Sequence, residues 1–318
     1  MESVERNLEL LSAAKVLVVG DIMLDRYWFG AVDRVSPEAP VPVVAVNEIE
    51  ERIGGAGNVA ANVCALGGTS CLLGITGHDE AGEAIAGLVR ERSIQGALQT
   101  DKTISTTLKL RVIARNQQLL RADFEQHPAQ EVLDGLLEAF EEKVGDFDVV
   151  VFSDYGKGAL SDIEKMIDIA IAQAVPVLVD PKGSTFDRYR GATVITPNLK
   201  EFAEVVGTPV DQDDMAQKAY PLLERLGIKQ VLVTLSEQGM VLFAGGSCIH
   251  QPAKTLEVYD VSGAGDTVIA VMAMAVAAGL SDQDSLDMAN TAAGVVVSKL
   301  GTATLGLDEL QDALLDCN

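Results

Sequence analysis

A carboxylate directly after a glycine-rich turn is the feature of this sequence best suited to chemistry. Gly263, Ala264 and Gly265 precede Asp266, which opens a long apolar run. Small residues let backbone N–H groups approach an anion, and the positive end of a helix dipole points to the same place. Because a carboxylate repels phosphate, Asp266 is better suited to take a proton from a hydroxyl that attacks phosphorus. The alternative is an ordinary helix N-terminus that Asp266 caps.

A second glycine-rich cluster, residues 54–58 with the sequence GGAGN, also precedes a helix-like stretch. Its spacing does not match the dinucleotide-binding fingerprint, which disfavours an oxidoreductase, and the chain has no GxxxxGK[ST] loop. Gly55 would let a ligand approach the backbone, and Asn58 in the first helical turn would hydrogen-bond sugar hydroxyls. A tightly packed helix start explains the same residues equally well.

Polar residues follow five predicted strands of this chain. They are Asp21, Asp154, Asp180 with Lys182, Asn198, and Ser236 with Glu237. In open α/β sheets the ligand crevice lies outside the carboxyl ends of the strands, so these residues indicate one shared site. Helix caps and turns would also explain each of them singly.

Asn198 and Glu201 lie three residues apart at a predicted strand-to-helix junction, on one face of the first helical turn. Magnesium keeps several waters and needs few protein ligands, so this pair could hold a hydrated ion. The same spacing is typical of a capping box, which on spacing alone is the favoured interpretation.

Basic residues are concentrated in one segment of an otherwise acidic chain. The segment contains Lys109, Arg111, Arg115 and Arg121, beside Asn116, Gln117 and Gln118. Strand alternation would put the first three on one face, where guanidinium groups could bind a phosphate already present on the substrate. A solvated strand face paired with Asp123 and Glu125 is the alternative.

Asn290 lies on the apolar face of a helix predicted over residues 284–300. A buried amide needs a hydrogen-bond partner. Asn290 could line a pocket for a nucleotide base, or it could bond a neighbouring carbonyl.

The elements that must position these residues alternate between short apolar strands and amphipathic helices from residue 148 onward. This rhythm predicts an α/β fold with a doubly wound, mostly parallel sheet covered by helices on both faces. Two segments, about 25–53 and 103–124, break the rhythm and are predicted to be antiparallel strands forming a small β-sheet lid. We expect one domain over residues 1–318.

Composition excludes several classes of partner. The chain has 318 residues with 24 Lys and Arg against 47 Asp and Glu, a net charge of −23. Nucleic acid and anionic membranes are therefore not expected as partners. The four cysteines and three histidines are unclustered, the acidic N-terminus is not a signal peptide, and the longest apolar run is too short to span a bilayer. A cytoplasmic enzyme is expected.

Two signatures together resemble those of the ribokinase-like (PfkB) carbohydrate kinase family. They are GGAGNVAANVCALGG at 54–68 and DVSGAGDTVIA at 260–270, and the resemblance covers essentially the whole chain. It implies a ribokinase-like fold, with Asp266 as general base and Gly263, Ala264 and Gly265 as an anion hole. It further implies ATP and Mg²⁺, the ion being held by Asn198 and Glu201 through water. The implied nucleotide contacts are Asn198, Ser236, Glu237, Gly239, Gly263, Gly265 and Asn290.

The family resemblance also implies a K⁺ ion in many members, at positions matching Asp260 and Ser262. Val261 departs from the commoner Thr, which leaves the ion requirement open.

Further stretches, including GDIMLDRYWFG at 20–30, RVSPEAPVPVV at 34–44, SDYGKGAL at 153–160 and DPKG at 180–183, are similar to family members that phosphorylate a heptose 7-phosphate at C1. A phosphorylated sugar is therefore the implied substrate. Its implied contacts are Asp21, Asp25, Arg34, Gly55, Asn58, Lys109, Arg111, Asn116, Gln118, Asp154, Lys157 and Lys182.

The lid strands also indicate how the chain would assemble. Exposed lid edges favour a homodimer through the lid strands. Without an HxGH-type motif before residue 318, a stand-alone kinase, or the kinase half of a longer protein, is expected. The alternatives are another sugar or nucleoside kinase of this fold, such as a fructose-phosphate or ribose kinase, and a non-catalytic sugar- or nucleotide-sensing module.

Overall fold

The strands of the protein follow the apolar runs of its sequence. The structure is a computed structural model that describes residues 2–115, 117–254 and 258–316. Its strands are β1 Lys15–Gly20, β2 Ile22–Val35, β3 Pro42–Gly55, β4 Thr69–Gly77, β5 Gln95–Asp101, β6 Leu108–Ala114, β7 Gln117–Phe124, β8 Val149–Ser153, β9 Val177–Asp180, β10 Val194–Ile195, β11 Gln230–Thr234, β12 Met240–Ala244 and β13 Ser247–Gln251.

The helices connect and cover these strands. They are α1 Glu2–Ser12, α2 Ala56–Ala65, α3 Glu80–Glu91, α4 Gln130–Lys143, α5 Ile163–Ala172, α6 Leu199–Val206, α7 Gln212–Leu226, α8 Ala264–Ala277, α9 Asp282–Val296 and α10 Leu307–Leu315. Among the described residues, no helix has the length and apolar character needed to cross a bilayer.

The main sheet has the order β13-β12-β11-β10-β9-β8-β1-β4-β5 in the described chain. Every neighbouring pair from β11 to β5 is parallel. At the other edge, β12 is antiparallel to both of its neighbours, β11 and β13. This arrangement confirms the predicted mostly parallel α/β fold. It brings the carboxyl ends of the parallel strands to one edge of the sheet.

The core lies in two layers because successive side chains of each strand point to opposite faces. In β1, Val16 and Val18 pack under the layer that contains α1, α2, α3, α8, α9 and α10. Leu17 and Val19 pack under the layer that contains α4 to α7. Apolar side chains therefore alternate between two cores, as expected for strands buried on both faces.

A second sheet, called the lid, has the order β3-β2-β6-β7. The sequence predicted this sheet from two segments, about 25–53 and 103–124, and the prediction that the strands are antiparallel was wrong for the central pair. β2 and β3 are antiparallel, as are β6 and β7, whereas β2 runs parallel to β6. The chain leaves β3 through α2, β4, α3 and β5 before it returns to β6, and such a long crossover permits parallel pairing.

Candidate active site

Asp266 lies at the start of α8 with its carboxylate turned away from its own helix. Gly263 is the N-cap residue and makes no side-chain capping bond. The Asp266 carboxylate instead accepts hydrogen bonds from Asn58 Nδ2 at 2.8 Å and from the Tyr155 hydroxyl at 2.7 Å. The helix-capping alternative raised by the sequence is therefore not what the structure shows.

Burial gives the Asp266 carboxyl an unusual proton affinity. The residue is 3% exposed, and this loss of hydration raises its pKa from 3.8 to about 6. The bonds from Asn58 and Tyr155 and the charge of Lys109 lower the pKa, while the charge of Asp25 raises it. The carboxylate is thus ionised at neutral pH and close to the proton affinity that suits a general base.

Two glycines are required by the close packing around this carboxylate. Gly263 has φ 80°, and a Cβ there would lie 2.8 Å from Asn58 Nδ2. Gly55 has φ 60°, and a Cβ there would lie 2.4 Å from the backbone oxygen of Asp21. A Cβ on Gly265, by contrast, would meet no described atom within 4 Å. The glycine turn therefore packs on one side and opens to space on the other.

The helix end beside Asp266 can bind an anion. Thr267 N bonds to Gly263 O, so α8 begins there. The N–H groups of Gly265 and Asp266 precede that bond and have no acceptor within the helix, while Ala264 N makes a long bond of 3.3 Å to Val261 O. Free donors and the helix dipole thus converge next to the carboxylate.

Asp21 organises a loop. Its two carboxylate oxygens accept the backbone N–H groups of Tyr155, Lys157 and Ala159 at 2.9–3.0 Å. Burial raises the pKa of this carboxyl, although the three N–H bonds act in the opposite direction. In this structure Asp21 fixes the loop after β8, which contains Tyr155, the residue whose hydroxyl bonds Asp266.

Other predicted residues at the strand ends have protein partners. Asp154 accepts Gly156 N and the Tyr189 hydroxyl, each at 2.8 Å. Lys157 pairs with Glu125 at 2.7 Å, and Lys182 pairs with Glu201 at 2.8 Å. The two lysines remain partly exposed at the same edge as Asp266, where a ligand could compete for them.

The lid contributes both signs of charge to the crevice. Arg111 pairs with the buried Asp25 at 2.5 Å, and Lys109 Nζ lies 5.7 Å from the centre of the Tyr155 ring. Burial lowers the pKa of Lys109. Arg115 follows β6 with φ 51° and bonds to Val32 O instead of continuing the alternation.

Two predicted sugar contacts, Arg34 and Gln118, are not brought to this crevice. Arg34 and Gln118 are exposed near the far ends of β2 and β7, where they pair with Val43 and Ile113. Asn116 lies outside the described residues. Any contact of Arg34 or Gln118 with a ligand would require a different lid position or a second protein.

Asn198 and Glu201 form the capping box that their spacing favoured. Glu201 N donates to Asn198 Oδ1 at 2.9 Å, and Asn198 N donates to Glu201 Oε2 at 3.1 Å. Among the described residues no group of three His, Cys, Asp or Glu side chains could hold a metal ion. The oxygens are hard donors with spare lone pairs, so they suit Mg²⁺ through waters rather than a dedicated protein cage.

The remaining predicted nucleotide contacts lie on two further elements, the turn after β11 and helix α9. Ser236, with φ 54°, and the exposed Glu237 belong to a short 3-10 turn after β11, and Gly239 N bonds back to Ser236 O. Asn290 of α9 is buried and donates to Pro252 O at 2.9 Å. This bond is the carbonyl alternative raised from the sequence, and it places the amide beside the β13 end.

Asp260 connects the segment before the glycine turn to the loop after α9. Its oxygens accept Ser262 N and Gly301 N, each at 2.9 Å, and these bonds lower the pKa of the carboxyl despite partial burial. The predicted K⁺ residues therefore lie together next to the glycine turn of residues 263–265.

Sequence reasoning assigned no role to Tyr155 or Arg52. Tyr155 bonds the Asp266 carboxylate. Arg52 of β3 lies over the Tyr27 ring and reaches the Leu300 carbonyl, which ties the lid to the loop after α9. The stretch at 153–160 marked the position of Tyr155 but not its partner, which lies 111 residues away.

Comparison with known proteins identifies close relatives. The model of the pfkB family of carbohydrate kinases matches residues 13–309. A D-beta-D-heptose 7-phosphate kinase of Bordetella bronchiseptica is 51% identical over 95% of this chain and 96% of its own length. The bifunctional protein HldE of Hahella chejuensis is 49% identical over 96% of this chain, which spans 65% of that longer protein.

Solved structures share the fold at low sequence identity. Phosphofructokinase-2 from Escherichia coli in complex with potassium has a TM-score of 0.79 at 21% identity, covering 96% of this chain and 98% of that chain. Ribokinase of Arabidopsis thaliana, complexed with ribose and ATP, has a TM-score of 0.75 at 21% identity, covering 95% and 99%. With the family model matched over most of its length, this chain belongs to the pfkB family of carbohydrate kinases.

Proposed function

We propose that this protein transfers the γ-phosphoryl group of ATP to the C1 hydroxyl of D-glycero-D-manno-heptose 7-phosphate. The product is the 1,7-bisphosphate, an intermediate toward the ADP-heptose of lipopolysaccharide core. The observation that carries the chemistry is the buried Asp266 carboxylate, which lies beside the open end of α8 and has a pKa of about 6. The heptose assignment is supported by the relative of matching length named for that activity.

Asp266 acts as the general base in this proposal. As the C1 oxygen attacks the γ-phosphorus, its proton passes to the Asp266 carboxylate and a new O–P bond forms. The bond between the γ-phosphorus and the β–γ bridging oxygen breaks, and its electron pair leaves with ADP. The N–H groups at Gly265 and Asp266 stabilise charge on the transferring group.

ATP would lie along the carboxyl ends of the strands. Ser236, Glu237, Gly239 and Asn290 border the nucleotide, and residues 263–265 receive its phosphates. Mg²⁺, held through waters by Asn198 and Glu201, would neutralise charge on the β- and γ-phosphates. Lys182 pairs with Glu201 at the same edge and is available to a phosphate oxygen.

The polar face of the lid would hold the sugar phosphate. Cross-strand pairing puts Arg52, Asp25 and Lys109 in one row and Arg111 in the next row on the same face. Lys109 and Arg111 supply positive charge for the substrate phosphate, and Asp25 and Asn58 supply polar groups for hydroxyls. Because the protein carries a large negative charge, a dianionic substrate would bind only where basic side chains offset the repulsion locally.

An acceptor panel tests the proposed function. Purified protein is mixed with MgATP and heptose 7-phosphate, fructose 6-phosphate or ribose, and ADP release is followed. We expect turnover with heptose 7-phosphate and not with the other two. Turnover of fructose 6-phosphate or ribose instead would overturn the substrate, and no turnover of any sugar would overturn the catalytic function.

We also propose a homodimer through the lid, and the structure offers a face as well as edges for it. The apolar face carries one row of Ile49, Trp28, Val112 and Leu120 across the four strands. Ile49 and Leu120 are 59% and 58% exposed. An exposed apolar sheet face is typical of a protein interface.

Sedimentation equilibrium tests the dimer. Leu120→Asp should shift the protein to monomer, while Arg121→Asp places the same charge on the opposite face of β7 and should leave the dimer in place. A monomeric unmodified protein would contradict this part of the proposal.

The use of a K⁺ ion and a cytoplasmic location of the protein are further parts of the proposal. Asp260 and Ser262 lie together beside the glycine turn, as a monovalent cation there would require. Replacing K⁺ by Na⁺ should lower kcat if the cation organises that turn, and an unchanged kcat would remove it from the proposal. A cytoplasmic location is proposed from the sequence alone.

A further inference from the structure

Tyr155 connects three parts of the candidate site. Its hydroxyl donates to Asp266 Oδ1 at 2.7 Å, and its backbone N–H donates to Asp21 Oδ2 at 2.9 Å. Its ring lies 5.7 Å from Lys109 Nζ of the lid. The buried carboxylate of Asp21 therefore holds the Tyr155 backbone, while the Tyr155 hydroxyl bonds the buried carboxylate of Asp266.

The orientation of the Asp266 carboxylate is set from outside its own helix. Asn58 Nδ2 bonds Oδ2 from α2, and the Tyr155 hydroxyl bonds Oδ1 from the loop after β8. Each oxygen keeps a lone pair for a further proton or hydrogen bond. Removing either donor would free the carboxylate to rotate and would change its proton affinity.

We propose that Tyr155 is a positioning residue for the base. Its hydroxyl fixes the orientation in which Asp266 receives the proton of the sugar hydroxyl. The contact of its ring with Lys109 links this orientation to the lid. This inference rests on the proposed function, since it assigns Tyr155 a part in the same reaction.

The direction of the pH effect follows from the donor. A hydrogen bond from a hydroxyl favours the charged form of the carboxylate, so loss of that bond raises the pKa of Asp266. The other polar and charged groups that face Asp266 are Asn58 of α2, Asp25 of β2, Lys109 of β6 and Asp180 at the end of β9. All of them remain when only the Tyr155 hydroxyl is removed.

Tyr155→Phe is the direct test, because it removes the hydroxyl and keeps the ring beside Lys109. At pH 7 we expect kcat to fall about tenfold and the sugar KM to change by less than about twofold. The acid limb of the kcat profile should move up by about one pH unit. An unchanged kcat with an unmoved acid limb would overturn the proposal.

Tyr189→Phe is the matched control, since the Tyr189 hydroxyl also donates to a buried carboxylate, Asp154, at 2.8 Å. It should leave the acid limb in place whatever it does to stability. An equal shift of the limb in both variants would reduce Tyr155 to a general structural role and would overturn the proposal.

A substrate-free titration separates this inference from the proposed function. The ¹³C carboxyl resonance of Asp266, assigned with Asp266→Asn, should titrate at higher pH in Tyr155→Phe than in the unmodified protein. An upward shift supports Tyr155 even if heptose 7-phosphate is not the acceptor. Identical titration curves would overturn the positioning role even in a confirmed heptose phosphate kinase.

Discussion

Asp21 and Asp266 are both buried carboxyls at the same edge of the main sheet, but they differ in their hydrogen-bond partners. Asp21 accepts three backbone N–H groups and so holds a loop. Among the described residues, Asp266 accepts two side-chain donors at the start of α8, and the space beside it is open at Gly265. Burial raises the pKa of both carboxyls.

Burial alone therefore does not identify a base. A carboxylate whose oxygens are occupied by backbone amides stabilises the fold and has little capacity left for a substrate proton. One held by side chains, next to free N–H donors, can exchange a proton while an anion is bound nearby. The two residues should therefore fail in different ways when they are changed.

Asp266→Asn should give the largest effect. Because the amide cannot take a proton, kcat should fall about 1,000-fold, while KM for ATP changes little. Steady-state ADP release measures this, and circular dichroism checks that the fold is retained. Equal kcat in the variant and the unmodified enzyme would remove the base from the mechanism.

Lys109→Met should separate the lid from the base. Loss of the ammonium should raise KM for the sugar phosphate about 30-fold and leave kcat within a fewfold, since a charged hydrogen bond to phosphate is lost. Lys165→Met, which removes an exposed lysine of α5 outside the lid, is the control and should change KM by less than about twofold. A kcat loss without a change in KM would contradict the assignment of Lys109.

Asp21→Asn should act mainly on stability. One of the three N–H donors would face an amide NH₂ instead of an oxygen, which costs about 2 kcal/mol of unfolding free energy. Urea denaturation measures the loss. Asp148→Asn is a suitable control, because this exposed carboxylate accepts a single backbone N–H. Equal stability of Asp21→Asn and the unmodified protein would break the comparison.

The pH dependence of kcat should give the smallest effect. With a pKa of about 6, Asp266 is mostly ionised at pH 7 and mostly protonated at pH 5, so its activity as a base is lost as pH falls. At saturating substrates, kcat should drop about tenfold between pH 7 and pH 5. A kcat that stays flat down to pH 5 would contradict the raised pKa.

Part of the fold and of the candidate site could be predicted from local sequence patterns. Residues 263–266 could be assigned a role because glycine turn, helix start and carboxylate are contiguous in the sequence. The alternation of apolar strands and helices likewise predicted the main sheet. Asn198 and Glu201 had two explanations at one spacing, and the structure shows the capping box.

Contacts between distant segments could not be predicted in the same way. Tyr155 meets Asp266 across 111 residues, and no local pattern marks that bond. The parallel pairing of β2 with β6 depends on the path of the chain through the main sheet, which strand propensity does not encode. Arg34 and Gln118 were assigned from resemblance, and lie exposed near the far ends of their lid strands.

³¹P NMR of the reaction products would show whether this protein phosphorylates the C1 hydroxyl of heptose 7-phosphate. The enzyme is incubated with MgATP and heptose 7-phosphate, and the products are examined for a new phosphorus resonance coupled to the anomeric proton. We expect this resonance to grow with ADP while the C7 phosphate signal persists. ADP accompanied by inorganic phosphate alone, or by phosphate at another carbon, would contradict it.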